Sequence, residues 1–283
     1  MKHIRVRAWV KILFLLIIIF SSTIIYSRYI EPKMYITKEY NIIDSDIPNS
    51  FYGIKIVQIS DINYKFNNNK KDLNKILKEI NKIKPDIVIL SGDLFNNQIN
   101  YTEEDIKDIT NILKSIKYSI GKFAIKGEND TLDEWNSIME NSSFIDLNDS
   151  YELIYNESIE PILLVGISSN YKSNHISDTI EKIYSEINTE YKFSILVLHE
   201  PDFITSIDYS KFNLILAGHS LNGTIKIPYI GGIINDKYSK IYHDDYYELN
   251  NTKLYISSGI GNNKYKFRLL NPPSISLYRL RNK

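Results

Sequence analysis

The sequence predicts an α/β fold: a four-layer α/β/β/α sandwich of two mixed β-sheets, preceded by one N-terminal transmembrane helix. Three observations carry this expectation. An uncharged stretch, Ile12–Ser27, stands close to the N-terminus. Between residues 54 and 140, apolar runs of strand length alternate with segments of helical period, the rhythm of parallel strands joined by right-handed crossovers. Beyond residue 150 the runs are short, separated by turn residues and interrupted by only two helical segments, as a second and more mixed sheet would be.

The stretch ILFLLIIIFSSTIIYS at 12–27 is bounded by Lys11 and Arg28. With Ala8, Trp9 and Val10 it reaches about twenty residues, enough to cross a ~30 Å hydrocarbon core. Trp9 and Tyr26 sit where interfacial aromatics belong, and Lys2, Arg5, Arg7 and Lys11 precede the run. The positive-inside rule then keeps the N-terminus in the cytoplasm and exports the rest, giving a single-pass protein of the cell membrane. A cleaved signal peptide is the rival reading, since Ser21-Ser22-Thr23 offers small residues, but no A-x-A-like site follows. A core helix would not normally be apolar all round at a basic terminus. Residues 1–28 are therefore read as cytoplasmic tail and anchor, 29–52 as a linker with a leading strand, and 53–283 as the functional domain.

In order, strand 54–60 leads to a helix at 70–83 with Leu73, Ile76, Leu77, Ile80 and Ile83 on one face. Strand 86–91 precedes a helix at 102–116, opened by Thr102 with Glu103-Glu104 in its first turn. Strand 122–126 runs into a helix at 131–140. The later runs are 151–156, 161–166, 193–198, 213–217, 223–228, 253–258 and 275–280, with helices at 176–187 and 202–208. The segment 229–252, rich in Tyr and Asp, could form part of a cap.

Composition narrows the function. The 283 residues carry 34 Lys+Arg against 34 Asp+Glu, so no field attracts a polyanion and nucleic acid is not an expected partner. There is no cysteine, which excludes disulfides, Fe–S clusters and thiolate zinc sites. Hydrophobic residues make up 43%, sufficient for a large core.

Five strand-like runs end in a carboxylate or a histidine: Ile54–Ser60 in Asp61, Ile87–Ser91 in Gly92-Asp93, and Phe123–Lys126 in Gly127-Glu128. Ser194–Leu198 ends in His199, and Leu214–Ala217 in Gly218-His219. Ligands of α/β proteins bind outside the carboxyl ends of the strands. Hard carboxylate oxygens with imidazole nitrogens suit a divalent ion such as Mn²⁺, Fe²⁺ or Zn²⁺. One Asp after a strand is more often a turn former or helix cap, and one His a hydrogen-bonded loop residue; five together reverse that reading.

The segments Ile59-Ser60-Asp61-Ile62-Asn63, Ser91-Gly92-Asp93, Gly127-Glu128-Asn129-Asp130, Leu198-His199-Glu200-Pro201-Asp202 and Gly218-His219-Ser220-Leu221 resemble, in order, the five motifs of calcineurin-like metallophosphoesterases. Those motifs are S-D-x-H, G-D, G-N-H-[DE], a histidine after an apolar strand, and G-H-x-H. Gly223–Pro228, Leu254–Gly261, Arg268 and Asn271-Pro272-Pro273 resemble the membrane-anchored bacterial subgroup. The resemblance implies a phosphate-ester hydrolase in which two metals ~3.5–4 Å apart clamp the ester and activate a hydroxide.

Carried over by position, the resemblance implies one intact site and one degraded. Asp93, His199 and His219 would hold one metal, with Glu128 where the family has Asn. The other site keeps Asp61 and the shared Asp93, but Asn63 and Leu221 replace its histidines. Asn129 stands where the family has its catalytic His, and cannot exchange a proton near neutral pH. The expected catalytic residues are Asn129 and Asp61; the expected metal ligands are Asp61, Asp93, Glu128, His199, His219 and Asn63, with one ion the simplest reading and two the family pattern. Asn222, His175 or His243 could compensate by folding into the site. The substrate would be a phosphomonoester or phosphodiester, lipid-linked if the anchor sets its location. The alternative is an inactive relative that binds a phosphorylated ligand or a partner protein.

Overall fold

Isoleucine, leucine and valine dominate the middle strands of both sheets because those strands are covered on both faces. The computed structural model describes residues 8–169, 175–227, 230–233 and 236–283. Lys2, Arg5, Arg7 and Pro228, on which the sequence reading drew, lie outside them. In chain order the elements are α1 (Ala8–Ile25), β1 (Ile36–Ile43), β2 (Lys55–Ile59), α2 (Lys70–Ile83), β3 (Ile87–Ser91), α3 (Glu103–Lys114), β4 (Gly121–Ile125), α4 (Trp135–Ser142), β5 (Ile145–Asp146), β6 (Ser150–Ile154) and β7 (Ile162–Ile167). There follow α5 (His175–Glu186), β8 (Phe193–Leu198), β9 (Leu214–Ala217), β10 (Lys226–Ile227), β11 (Gly231–Gly232), β12 (Tyr246–Leu249), β13 (Thr252–Ile256) and β14 (Ser274–Arg281).

Two six-stranded sheets form, ordered β1-β14-β2-β3-β4-β5 and β12-β13-β9-β8-β7-β6. Both are mixed. In the first only β14 and β2 pair antiparallel; in the second the edge pairs β12–β13 and β6–β7 do. Three apolar clusters separate four layers. One lies between the first sheet and α2, α3 and α4, a second between the sheets, and a third between the second sheet and α5. The expected α/β/β/α sandwich is the observed architecture.

Local chemistry sets the helix ends. Asn69 opens α2 and Thr102 opens α3, each in a reciprocal capping box with the residue three further on, Asp72 and Asp105. Helix α4 starts at Trp135 rather than 131, because the backbone ahead of it is held by shorter-range bonds, Thr131 N–H on the Asn129 carbonyl and Trp135 N–H on the Leu132 carbonyl. The segment expected as a helix at 202–208 is a 3-10 helix, Pro201–Ser206. Its Asp202 carboxylate accepts from the backbone N–H groups of Lys240, Ile241 and Tyr242 and pins a distant loop instead of capping a helix. The strand expected at 223–228 shrinks to Lys226–Ile227, since the carbonyls of Leu221 and Gly223 are taken by Asn271 Nδ2.

Helix α1 buries none of its residues, is long and apolar enough to cross a membrane, and continues through a π-helical turn, Tyr26–Ile30, and a 3-10 turn, Glu31–Lys33. Gln58, buried in β2, joins the two sheets beneath one rim. Its Nε2 donates to Ser91 Oγ at 2.7 Å and to the Ala217 carbonyl at 2.9 Å, while its Oε1 accepts from Tyr278 at 2.7 Å.

Candidate metal centre

Strands β2, β3, β8 and β9 end at that rim, and each delivers its next polar residue into one buried cluster. The chain turns there through left-handed backbone: Asp61, Asn63, Asp93, His219, Leu221 and Asn222 all have φ between 46° and 63°. Non-glycine residues adopt this region rarely, and such concentrations occur at functional sites. Gly92 and Gly218 leave room for close approach: a Cβ on Gly92 would overlap His199 Nδ1, and one on Gly218 would overlap Ser60 Oγ.

Asp61, Asp93, His199 and His219 are fully buried. His199 Nδ1 lies 2.7 Å from the Ser91 carbonyl. A carbonyl only accepts, so Nδ1 carries a proton, and Nε2 is the nitrogen that offers its lone pair once a cation displaces the second proton that Asp93 and Asp61 favour there. That Nε2 is 3.4 Å from Asp93 Oδ2 and 3.8 Å from Asp61 Oδ1. His219 is arranged the other way round. Its Nε2 is 2.6 Å from the Lys237 carbonyl, which frees Nδ1, 3.8 Å from Glu128 Oε1. Asp93 is held by Asn129, whose backbone N–H donates to Oδ1 at 3.0 Å and whose Nδ2 donates to Oδ2 at 2.6 Å. Asp61 Oδ2 accepts from Ser60 Oγ and from His219 N–H.

Charges respond to this enclosure. Burial raises Asp61 above the usual carboxylate range, with Asp93 adding to the rise and His199 opposing it. Burial also pushes Asp93 upward, but His199 and the Asn129 N–H outweigh it and the carboxyl falls below its ordinary value. Desolvation would lower His199; the carboxylates of Asp93 and Asp61 win and raise it well above its ordinary value.

Of Asp61, Asp93, His199 and His219, three buried atoms have no hydrogen-bond partner among the described residues: Asp61 Oδ1, His199 Nε2 and His219 Nδ1. Orphaned lone pairs of this kind are costly unless something positive binds them. Two sets of ligand atoms lie within 4.8 Å of one another, Asp61–Asp93–His199 and His199–Glu200–His219. The donor set is carboxylate plus neutral imidazole, so it fits a divalent cation of the Mn, Fe or Zn type.

Glu200 is the residue that sequence reasoning passed over as a ligand. It is buried, and its Oε1 accepts from Ser169 Oγ at 2.6 Å. Its position directly after His199 was the available signal. Glu128 lies at the rim with its side chain 31% exposed. Asn63 is buried, but its Oδ1 accepts from Asn96 Nδ2 at 2.8 Å and its Nδ2 is left without a partner. Asn96 Nδ2 also donates to the Asn263 carbonyl at 3.1 Å, and Asn129 Nδ2 lies 3.5 Å from Asn263 Oδ1. An amide network thus occupies the side of the centre where the motif pattern has histidines. Leu221 is buried against Gly259. Of the three candidates for compensation, His175 pairs with Asp149 at 3.2 Å and His243 lies beside the β10–β11 hairpin, and neither belongs to the two ligand sets; Asn222 Nδ2 donates to Asp245.

Residues 54–223 match the family described as calcineurin-like phosphoesterase. The chain is 29% identical over 261 residues to the uncharacterized metallophosphoesterase YkuE of Bacillus subtilis, covering 90% of this chain and 89% of that one. It is 23% identical to the UDP-2,3-diacylglucosamine pyrophosphatase LpxG of Chlamydia trachomatis, over 91% and 92% of the two chains. A zebrafish (Danio rerio) transmembrane protein with metallophosphoesterase domain is 22% identical over 76% of this chain and 50% of its own length.

Proposed function

The chain belongs to the calcineurin-like phosphoesterase family, and from that premise we propose that it is a membrane-anchored phosphoesterase working with one intact metal site. The observation that carries this reading is the pair of buried imidazole nitrogens without a hydrogen-bond partner, His199 Nε2 set against Asp93 and Asp61 and His219 Nδ1 set against Glu128. Asp93, His199 and His219 would hold the ion, with Glu128 and Glu200 beside them. When bound, the ion would act as a Lewis acid and lower the pKa of a coordinated water.

The protein's own groups divide the rest of the work. The Ser91 and Lys237 carbonyls fix the tautomers of His199 and His219. Asn129 orients Asp93, and Asp61 orients water or holds a second, labile ion. Asn63 Nδ2 is a neutral donor that can hold a phosphate oxygen, and neither it nor Asn129, whose Nδ2 is taken by Asp93, can protonate a leaving alkoxide. The chemistry therefore favours substrates whose leaving group departs as a weak base, an aryl oxide or a phosphate rather than an alkoxide. A lipid-linked phosphoanhydride fits this requirement and the anchor, and the name of the Chlamydia relative supports it. Helix α1 and the basic residues ahead of it support a single pass with the catalytic domain outside the cytoplasm.

A second reading rests on Asn63, Leu221 and the amide network: an inactive relative that binds a phosphorylated ligand or a partner. Hydrolysis of bis-p-nitrophenyl phosphate with added Mn²⁺, measured against Asp93→Ala, separates the two. Turnover that disappears in Asp93→Ala supports the enzyme; silence of the unmodified chain supports the binder.

A further inference from the structure

The segment Ile260–Asn271 starts at the metal centre and ends at the anchor. Near its start, Asn263 contacts both Asn129 and Asn96. Near its end, Arg268 N–H donates to the Ser27 carbonyl at 2.9 Å and Asn271 N–H donates to the buried Glu31 carboxylate. Arg268 is fully buried and ties the segment together, its guanidinium donating to the carbonyls of Gly261 and Asn271. Lys33 adds an ion pair with Asp72 at 2.7 Å. The end of the apolar helix is thus fixed to the domain within one loop's length of the reacting groups.

Between those two ends the loop turns apolar side chains outward. Tyr265, Phe267 and Leu270 are exposed, the last at 57%. An isolated bridge from Ile225 to Leu269 seats the β10–β11 hairpin against the loop, and that hairpin exposes Ile227, Ile230 and Ile233, with Ile230 at 74%. The chain beyond the hairpin returns to the site, where the Lys237 carbonyl meets His219. Tyr29, Ile30 and Met34 extend the same exposed character to the anchor, and the Arg28 guanidinium lies 6.0 Å from the Phe267 ring. Lys264 and Lys237 are exposed among these side chains.

Contiguous exposed apolar surface marks an interaction site, and here it is continuous with the helix that would itself lie in lipid. Aliphatic and aromatic tips interspersed with lysines suit the boundary between acyl chains and anionic headgroups. We propose that this collar seats in the leaflet from which α1 emerges, inserting Ile230, Ile233, Phe267 and Leu270 and holding the mouth of the metal centre at headgroup level. The proposal rests on the membrane-anchored reading above and adds the orientation of the domain on the bilayer.

The chain has no cysteine, so one introduced thiol labels one place. The full-length protein is reconstituted in phosphatidylcholine–phosphatidylglycerol nanodiscs with a nitrobenzoxadiazole probe at Ile230→Cys or Phe267→Cys. The control is Ile159→Cys: Ile159 is 90% exposed and precedes β7, at the opposite end of the parallel strands from the site. Both collar probes are expected to shift to the blue and to be quenched at least three-fold more by spin-labelled lipid than the control. Equal lipid quenching at all three positions overturns the proposal. So does a collar probe shielded from lipid and water quenchers alike, which indicates a second copy or another protein on this face. Neither readout needs turnover, so failure of the docking and failure of the enzymatic reading are separately visible.

Discussion

His199 donates its Nδ1–H to the carbonyl of Ser91 at 2.7 Å, and that bond aims the bare Nε2 at the carboxylates of Asp93 and Asp61. Strand β3 thereby orients a side chain that β8 delivers, across the join between the two sheets. The space needed for this is Gly92, where a Cβ would overlap His199 Nδ1.

Gly92→Ala should therefore cost more than its backbone strain. Gly92 has φ +95° and Gly53 has φ +84°, but a Cβ at Gly53 meets nothing within 4 Å. Gly53→Ala is expected to lose about 1–2 kcal/mol, the cost of a side chain in left-handed backbone. Gly92→Ala should lose more than that and also weaken Mn²⁺ binding by at least ~10-fold. Thermal melts with metal titrations of both variants check this, and similar losses in the two would contradict it.

Asn129 stands where a proton donor would serve, and it is already committed to Asp93 through Nδ2. Rates should therefore depend steeply on the leaving group, with p-nitrophenyl esters far ahead of alkyl esters. Asn129→His should raise turnover of alkyl esters by up to ~10² and leave p-nitrophenyl esters little changed. Equal effects on both classes would remove the assignment.

The fold class and the positions of Asp61, Asp93, His199 and His219 were legible because each depends on a local pattern, an apolar strand ending in a ligand. Helices α2 and α3 were legible from their caps and apolar faces. The parallel pairing of β1 with β14 was not, since Ile36 and Ser274 meet from opposite ends of the chain with no pattern linking them. Nor was the amide network, because Asn96 and Asn263 sit in loops without a motif and acquire their roles only by contact with Asn63 and Asn129. The start of α4 shifted for a related reason. Asp130 is drawn inward to accept from Gly127 N–H at 2.9 Å and Phe95 N–H at 3.0 Å, so the helix cannot begin beside it.

Asn63→His with Leu221→His should create a second binding site and raise the metal content from one equivalent to two. Leu221 is buried and in contact with Gly259, so the double variant is expected to lose about 2 kcal/mol of stability in metal-free buffer. Elemental analysis of dialysed protein gives the count; one equivalent in both proteins would contradict the reading of these two positions.

Lys122 is buried in β4, donating to the carbonyls of Leu113 at 3.0 Å and Ser142 at 2.6 Å, and burial pushes its ammonium down to about 8. An unfolded lysine titrates near ~10.4, so between these values the unfolded chain holds more protons and stability rises with pH. Relative to Lys122→Met, the unmodified protein should gain on the order of 2 kcal/mol from pH 8 to pH 10.5, read from urea melts at each pH. A constant difference across that window would show that Lys122 keeps its ordinary affinity for the proton.

The central claim is that one metal, held by Asp93, His199 and His219, is sufficient for phosphoester hydrolysis. Mn²⁺ titrated into metal-free, full-length protein while bis-p-nitrophenyl phosphate hydrolysis is followed tests it most directly. The account predicts that the rate saturates at one bound equivalent and that His219→Ala abolishes both the binding and the rate. A rate that rises only as a second equivalent binds, or one-equivalent binding without turnover, would contradict it.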